Sequence, residues 1–292
     1  MSAATDTVTL PRAHRRGVLA RLWGTRNGRV GLVLMTVLVV AGALGALGVT
    51  PYPPIEQHPV DRFTGPGATY WMGTDQFGRD VFSRVMAGTW ASLRVAVLAV
   101  LGATLVGALA GICAGYFRGW TERIIGRVAD VLFAFPAILL ALAIVTALGR
   151  GWGNTAIAIA VVYTPIFVRV ARGPVLSVRE SDYVRAGHVL GFGPRRLLFR
   201  HVLPNVSAAI IVQVALALSW AILTESSLSF LGLGTQPPEP SLGLMVSDAR
   251  TLVSQGWWLL AAPSLTIVVA VIGLNLLGDG LRDVLDPTRS TD

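Results

Sequence analysis

Six stretches of this chain run for 18 residues or more without Asp, Glu or Arg: 30–55, 95–117, 131–149, 151–168, 201–224 and 251–278. A bilayer-crossing helix needs about 20 apolar residues. Trimming polar ends leaves spans near 30–50, 95–117, 129–148, 152–170, 206–228 and 257–278. One such run suits a buried helix of a soluble core. Six predict an all-α polytopic membrane protein with six transmembrane helices. The first apolar part, Val30 to Val49, is 20 residues long. A signal-peptide core is usually about 7–15, so this run reads as a retained anchor.

Three spans carry helix breakers, Pro136, Pro165 and Pro263. Proline removes a backbone donor and kinks a helix. The second span carries Ala103, Gly107, Gly111 and Gly115 at a spacing of four. Such a small-residue stripe lets another helix backbone approach closely.

Composition agrees. Hydrophobic residues make up 53% of the 292 and charged residues 14%, against an expected charged share of about 25%. Mean hydropathy is +0.63. This excludes a disordered chain, a collagen-like chain and an ordinary soluble enzyme. All 24 basic residues are arginine and the net charge is +8. In so apolar a chain that charge marks basic cytoplasmic loops facing anionic lipid or partner proteins, with no role in nucleic-acid binding. Placing the N-terminus inside puts 18 arginines on the cytoplasmic side and 6 outside, so both termini are expected in the cytoplasm. The chain then divides into a basic tail (1–29), a first transmembrane helix (30–50), an external loop (51–94), a five-helix core (95–278) holding a cytoplasmic loop (169–204), and a cytoplasmic tail (279–292).

Catalytic chemistry finds no residues. Cys113 is the single cysteine, and His14, His58, His188 and His201 lie at no ligand spacing, so neither a disulfide nor a metal site is expected. There is no Walker A glycine loop, no HExxH and no Ser/His/Asp constellation. The chain reads as a transport subunit, not an enzyme, and any uphill movement draws energy from another subunit. Ion-coupled carriers keep ionisable groups inside the membrane; here the borderline carboxylates are Asp130, at the start of span three, and Glu225. Glu225, late in span five, is expected at the outer interface in a helix-terminal or inter-subunit hydrogen-bonding role; a coupling carboxylate of a secondary transporter is the alternative. Six helices mostly pack on one another, so a peptide-sized pathway needs a second membrane subunit.

The 169–204 loop is patterned. Ser177 and Glu180 have the spacing of a capping box and predict a helix over Val178–Leu190. Gly191 and Gly193 break it. Pro194 suits the first position of a second helix, expected to end before Pro204. Seven arginines against Glu180 and Asp182 give the loop a net charge of +5. Two short helices on a glycine elbow suit a docking lever.

The same loop resembles the "EAA" loop of ABC importer permeases. Its core reads Asp182-Tyr183-Val184-Arg185-Ala186-Gly187, then Gly191, then Leu203-Pro204-Asn205. Arg185 stands where the family has Glu, and Gly187 where it has the second Ala; a glycine there is expected to loosen the helix by up to about 1 kcal/mol. Three further stretches extend the resemblance to the C-type permease subunit of dipeptide, oligopeptide and nickel importers. The outer-loop motif is Gly73-Thr74-Asp75-Gln76-Phe77-Gly78-Arg79-Asp80, followed by Ser83-Arg84. The span-five exit is Glu225-Ser226-Ser227-Leu228-Ser229-Phe230-Leu231-Gly232-Leu233-Gly234, with Pro237-Pro238 after it. The ending runs from Asn275 through Gly278-Asp279-Gly280 to Asp286-Pro287.

The resemblance implies a type I ABC importer permease in a bacterial plasma or inner membrane. It implies a B-type membrane partner, two cytoplasmic ATPase subunits that bind the loop and hold the ATP and Mg, and an external binding protein that delivers the solute. Di- or oligopeptides are the expected cargo, with nickel chelates, glutathione or another small solute as alternatives. For Asp75, Arg79 and Asp80 two roles are open: pairing with the binding protein, or pairing with one another to fix the loop.

Overall fold

The computed structural model describes residues 17–285. Arg12, Arg15 and Arg16 of the basic tail, and the Asp286-Pro287 ending with Arg289, lie outside them. Eleven α-helices follow in order among the described residues: α1 (Val18–Gly24), α2 (Arg26–Ala46), α3 (Val81–Phe117), α4 (Gly119–Phe133), α5 (Ala137–Leu148), α6 (Trp152–Arg179), α7 (Asp182–Val189), α8 (Pro194–Leu197), α9 (Leu203–Phe230), α10 (Leu242–Ala249) and α11 (Trp257–Leu285). Five of them, α2, α3, α6, α9 and α11, are long and apolar enough to cross a membrane.

The third expected span, 129–148, is not one helix. It is the bent pair α4 and α5, whose axes differ by 93°. Pro136 forms the N-cap of α5, and the break falls where the sequence places its proline. α4 is itself amphipathic: Glu122, Arg123, Arg127 and Asp130 alternate with Trp120, Ile124, Val128 and Val131.

The second span also differs from expectation. α3 begins at Val81 instead of 95 and runs for 37 residues, about 55 Å at 1.5 Å per residue. Residues 81–94 therefore belong to this helix and not to an irregular external loop. Arg84 and Arg94 interrupt the apolar run but not the helix, because each finds protein around it: Arg84 is buried, and the Arg94 guanidinium lies 4.0 Å from the centre of the Trp152 ring.

The small-residue stripe is the seam of the bundle. A Cβ placed on Gly107 would stand 2.5 Å from the Thr164 carbonyl oxygen, and one on Gly115 3.0 Å from that of Arg172. Between them, one on Gly111 would run into the Val168 carbonyl. α3 and α6 thus touch backbone to backbone. Around this seam Val100, Ala103, Ile159, Phe167, Ala217 and Ile222 form the main apolar core. Gly111→Ala is expected to reduce extractable folded protein sharply, since overpacking costs about 1–3 kcal/mol and here the obstacle is backbone. Gly102→Ala on the same helix meets only a methyl at 3.4 Å and gains helix propensity, so its melting temperature should match or exceed the parent's. Thermal melts of the two detergent-solubilised variants check this; equal behaviour contradicts the seam.

Sidedness is checked by reporter fusions. Those after Gly119 and within 185–195 should read cytoplasmic, and those near Gln57, Gly153 and Pro238 external. A C-terminal fusion that reads external overturns a six-span path.

Candidate functional site

The 169–204 segment departs from its predicted form in two ways. α6 continues through Ser177 to Arg179, so the Ser177–Glu180 capping box does not form. Glu180 is held elsewhere: Arg118 Nη2 donates to its Oε1 at 2.6 Å. α7 starts later, at Asp182, after Ser181 has turned its hydroxyl onto the Val178 carbonyl at 2.5 Å. The second helix does not stop before Pro204. α8 passes through a π-helical stretch, Leu198–Val202, into α9, where Pro204 occupies the first turn. Pro204 therefore removes one N–H from a continuous helical path, just where the π-helical stretch gives way to α.

Between α7 and α8 the chain turns as its glycines predict. Gly191 has φ +77°, and the Phe192 N–H reaches back to the Gly187 carbonyl at 3.0 Å. This is a Schellman close, with Gly191 in the left-handed position past the helix end. Gly187 also has a packing reason: a Cβ there would stand 2.8 Å from the Leu197 Cδ2 and 3.3 Å from the Phe192 ring. The elbow is bolted to the spans. Leu197, Val202 and Val206 are fully buried with Ala171 and Val175 of α6 and Ile112 of α3, and Val184 is buried as well.

The outward face of the elbow is wet and apolar by turns. Val189 is 88% exposed, Leu190 70% and Tyr183 48%, with Asp182, Arg185 and Ala186 also exposed. Asn205 links this face back to α9, donating to the Tyr183 hydroxyl at 3.3 Å and to the His201 carbonyl at 2.6 Å. The sequence reading missed three ion pairs that lace α3 and α4 to α6: Arg118–Glu180, Glu122–Arg172 and Asp130–Arg169. Their partners lie 39 to 62 residues apart, beyond any local spacing signal.

The outer motif folds onto itself. Asp75 Oδ1 accepts from the Phe77 N–H at 2.8 Å and the Arg79 N–H at 3.0 Å. Its Oδ2 accepts from Arg79 Nε at 2.6 Å and lies 3.6 Å from Arg84 Nε. Asp80 caps α3, accepting from the Ser83 N–H at 2.8 Å and the Ser83 hydroxyl at 2.5 Å. Of the two roles open to these charges, Asp75 and Arg79 have the geometry of mutual pairing, joined by Arg84, with side chains 9%, 8% and 3% exposed; Asp80 pairs with neither arginine and serves as the cap. The glycines are needed by position. Gly73 and Gly78 have φ +72° and +74°, and a Cβ on Gly73 would stand 2.7 Å from the Thr64 carbonyl oxygen. Two residues outside the motif lock it: Trp258 Nε1 donates to the Thr74 carbonyl at 3.2 Å, and Arg84 Nη1 to that of Pro54 at 3.1 Å. Nearby, the Tyr70 hydroxyl donates to Asp61 at 2.9 Å. Burial and that carboxylate push its pKa up to about 12, so it stays a donor at neutral pH.

Glu225 does not sit in interfacial water. It is near the outer end of α9 but fully buried, with Ser229 donating to its Oε1 at 2.7 Å and Ser226 lying 3.4 Å from its Oε2. Hydroxyls of its own helix replace water. The backbone beside it is equally tight, since a Cβ on Gly243 of α10 would run into the Ser226 carbonyl.

A bundle of five long apolar helices and one sharply bent helix pair, with a packed elbow on one face, has the fold of an ABC importer permease. The methionine ABC transporter MetNI, in inward-facing form, superimposes with a TM-score of 0.59 over 69% of this chain and 96% of its own, at 14% identity; that likeness shows the fold alone. The family model "binding-protein-dependent transport system inner membrane component" matches residues 103–291. The dipeptide transport system permease protein DppC of Alkalihalophilus pseudofirmus is 43% identical over 88% of this chain and 84% of its own length. The glutathione transport system permease protein GsiD of Pectobacterium atrosepticum is 42% identical over 87% of this chain and 85% of its own. The chain belongs to the binding-protein-dependent transport system inner membrane component family, and it is a multi-pass permease.

Proposed function

We propose that this chain forms half of the translocation pathway of an ATP-driven importer for di- or oligopeptides in a bacterial inner membrane. A B-type membrane subunit supplies the other half. Two cytoplasmic ATPase subunits bind the ATP and Mg and seat on the α7–α8 elbow, and an external binding protein delivers the solute. The observation that carries this reading is the elbow itself: a glycine-closed turn with an exposed face, its Leu197 packed against α3 and α6, the helices of the bundle seam. Closure of the ATPases then moves α3 and α6 as levers, giving alternating access. The names of the similar permeases support peptide cargo, with glutathione, itself a tripeptide, as the second reading.

The test is uptake into proteoliposomes holding this chain with its co-encoded partners and binding protein. ATP-dependent accumulation of a labelled dipeptide, competed by unlabelled dipeptide better than by glutathione, is expected. Glutathione competing better moves the cargo to the second reading. Uptake that follows an ion gradient without ATP removes the importer reading.

A further inference from the structure

At the junction of α3 and α4 the backbone is strained. Arg118 has φ +56°, which non-glycine residues adopt rarely and which recurs at ligand clamps. This conformation carries the Arg118 guanidinium to Glu180 at the end of α6, 2.6 Å away. Arg118, Arg179, Glu180 and Arg185 together line a cavity of about 300 Å³. Three guanidiniums face one carboxylate there, an excess of two positive charges. The Arg179 guanidinium carbon lies 5.9 Å from the centre of the Tyr116 ring. Guanidinium forks match phosphate oxygens in bidentate geometry.

The depth of the cavity narrows its ligand. Phe117 and Trp120 at the same junction are 53% and 75% exposed, in the manner of aromatic residues at the headgroup level. Arg123 lies over the Trp120 ring at 5.6 Å. We infer that the Arg118–Arg179–Arg185 cavity binds a phosphate oxyanion at the cytoplasmic membrane surface, with the headgroup of an anionic phospholipid as its occupant. The phosphate would tie Arg185 of α7 to Arg118 and Arg179, steadying the elbow against the end of α6.

The test needs only the full-length chain, so its failure is separate from failure of the transport reading. The protein is placed in nanodiscs of phosphatidylcholine alone or doped with phosphatidylglycerol, and lipid retention is read by native mass spectrometry alongside the melting temperature. Phosphatidylglycerol should be retained and should raise the melting temperature. Arg185→Gln and Arg179→Gln should each weaken retention by about tenfold, as loss of a charge-assisted hydrogen bond does, while Arg200→Gln, an exposed arginine outside the cavity lining, should not. Arg185 is exposed, so its variant reports even if Arg179→Gln folds poorly. Inorganic phosphate added to phosphatidylcholine discs separates the sources. If it reproduces the shift and the arginine dependence while phosphatidylglycerol does not, the site is an oxyanion site and the lipid assignment is overturned. If neither gives an effect that depends on Arg185, or Arg200→Gln weakens retention equally, the whole inference is overturned.

Discussion

Gly191→Val is expected to leave the chain inserted in the membrane and to cut solute-stimulated ATP hydrolysis by tenfold or more. Gly191 holds φ +77° with open space around a Cβ, so the obstacle is conformational strain and not collision. A β-branched residue in that region is a strong outlier, and the strain is of order 1–3 kcal/mol. About 1.4 kcal/mol corresponds to a factor of ten. The spans are untouched, and the damage falls on the Schellman close that aims α7. The series Asn, Ala, Val isolates the cause. Asn is larger than Ala but tolerates the left-handed region better, so Gly191→Asn should be the mildest of the three. A ranking by size instead, with Asn worse than Ala, would place a partner surface against Gly191. Arg185→Ala should be milder than Gly191→Val, since Arg185 is exposed and a pair formed by an exposed charge is worth at most about 1 kcal/mol. The check is a membrane-fraction pull-down of the ATPase followed by the stimulated hydrolysis rate.

Asp75→Ala should do still more damage, at the level of folding. Its carboxylate is the shared counter-charge of Arg79 and Arg84 and the acceptor for two backbone N–H groups. Removing it leaves two guanidiniums buried without that charge. Breaking a buried pair from one side costs about 3–5 kcal/mol, a large part of a typical stability of about 5–15 kcal/mol. The amount of folded chain in the membrane and its melting temperature should both fall. Arg79→Ala should be milder, because Asp75 keeps Arg84 and both N–H donors. Uptake per folded molecule should stay near the parent's in Arg79→Ala. A normal amount of Arg79→Ala protein with failed uptake would contradict the internal role and return Arg79 to the binding-protein surface.

Much of this was legible in the sequence because a bilayer imposes a simple rule on it. Runs without charge mark the spans, the stripe from Ala103 to Gly115 marks the seam, and Gly191 and Pro194 mark the elbow. The rest depended on partners far away in the chain. A run without charge marks where side chains must be apolar, not where a helix begins, so α3 extends back through Arg94 and Arg84 into protein surroundings. Pro136 signals a kink but not its angle, which follows from α4 being amphipathic and laced to α6 by Glu122 and Asp130. Ser177 and Glu180 have capping spacing, yet Glu180 is taken by Arg118, 62 residues earlier. The lock on the outer motif comes from Trp258, 184 residues beyond Thr74. Glu225 looked affordable only at a wet interface; its own helix supplies the hydroxyls that let it be dry.

The α7–α8 elbow is the proposed seat of the ATPase. Val189 is the most exposed apolar side chain of that elbow and Val60, 97% exposed, lies on the outer loop. Each is replaced by Cys in a Cys113→Ser background, and membranes holding the assembled transporter are treated with a short bifunctional thiol-to-amine reagent. Val189→Cys is predicted to give a covalent adduct with the ATPase subunit, and Val60→Cys none. An intact complex that yields no ATPase adduct at position 189, or one at position 60, contradicts the account.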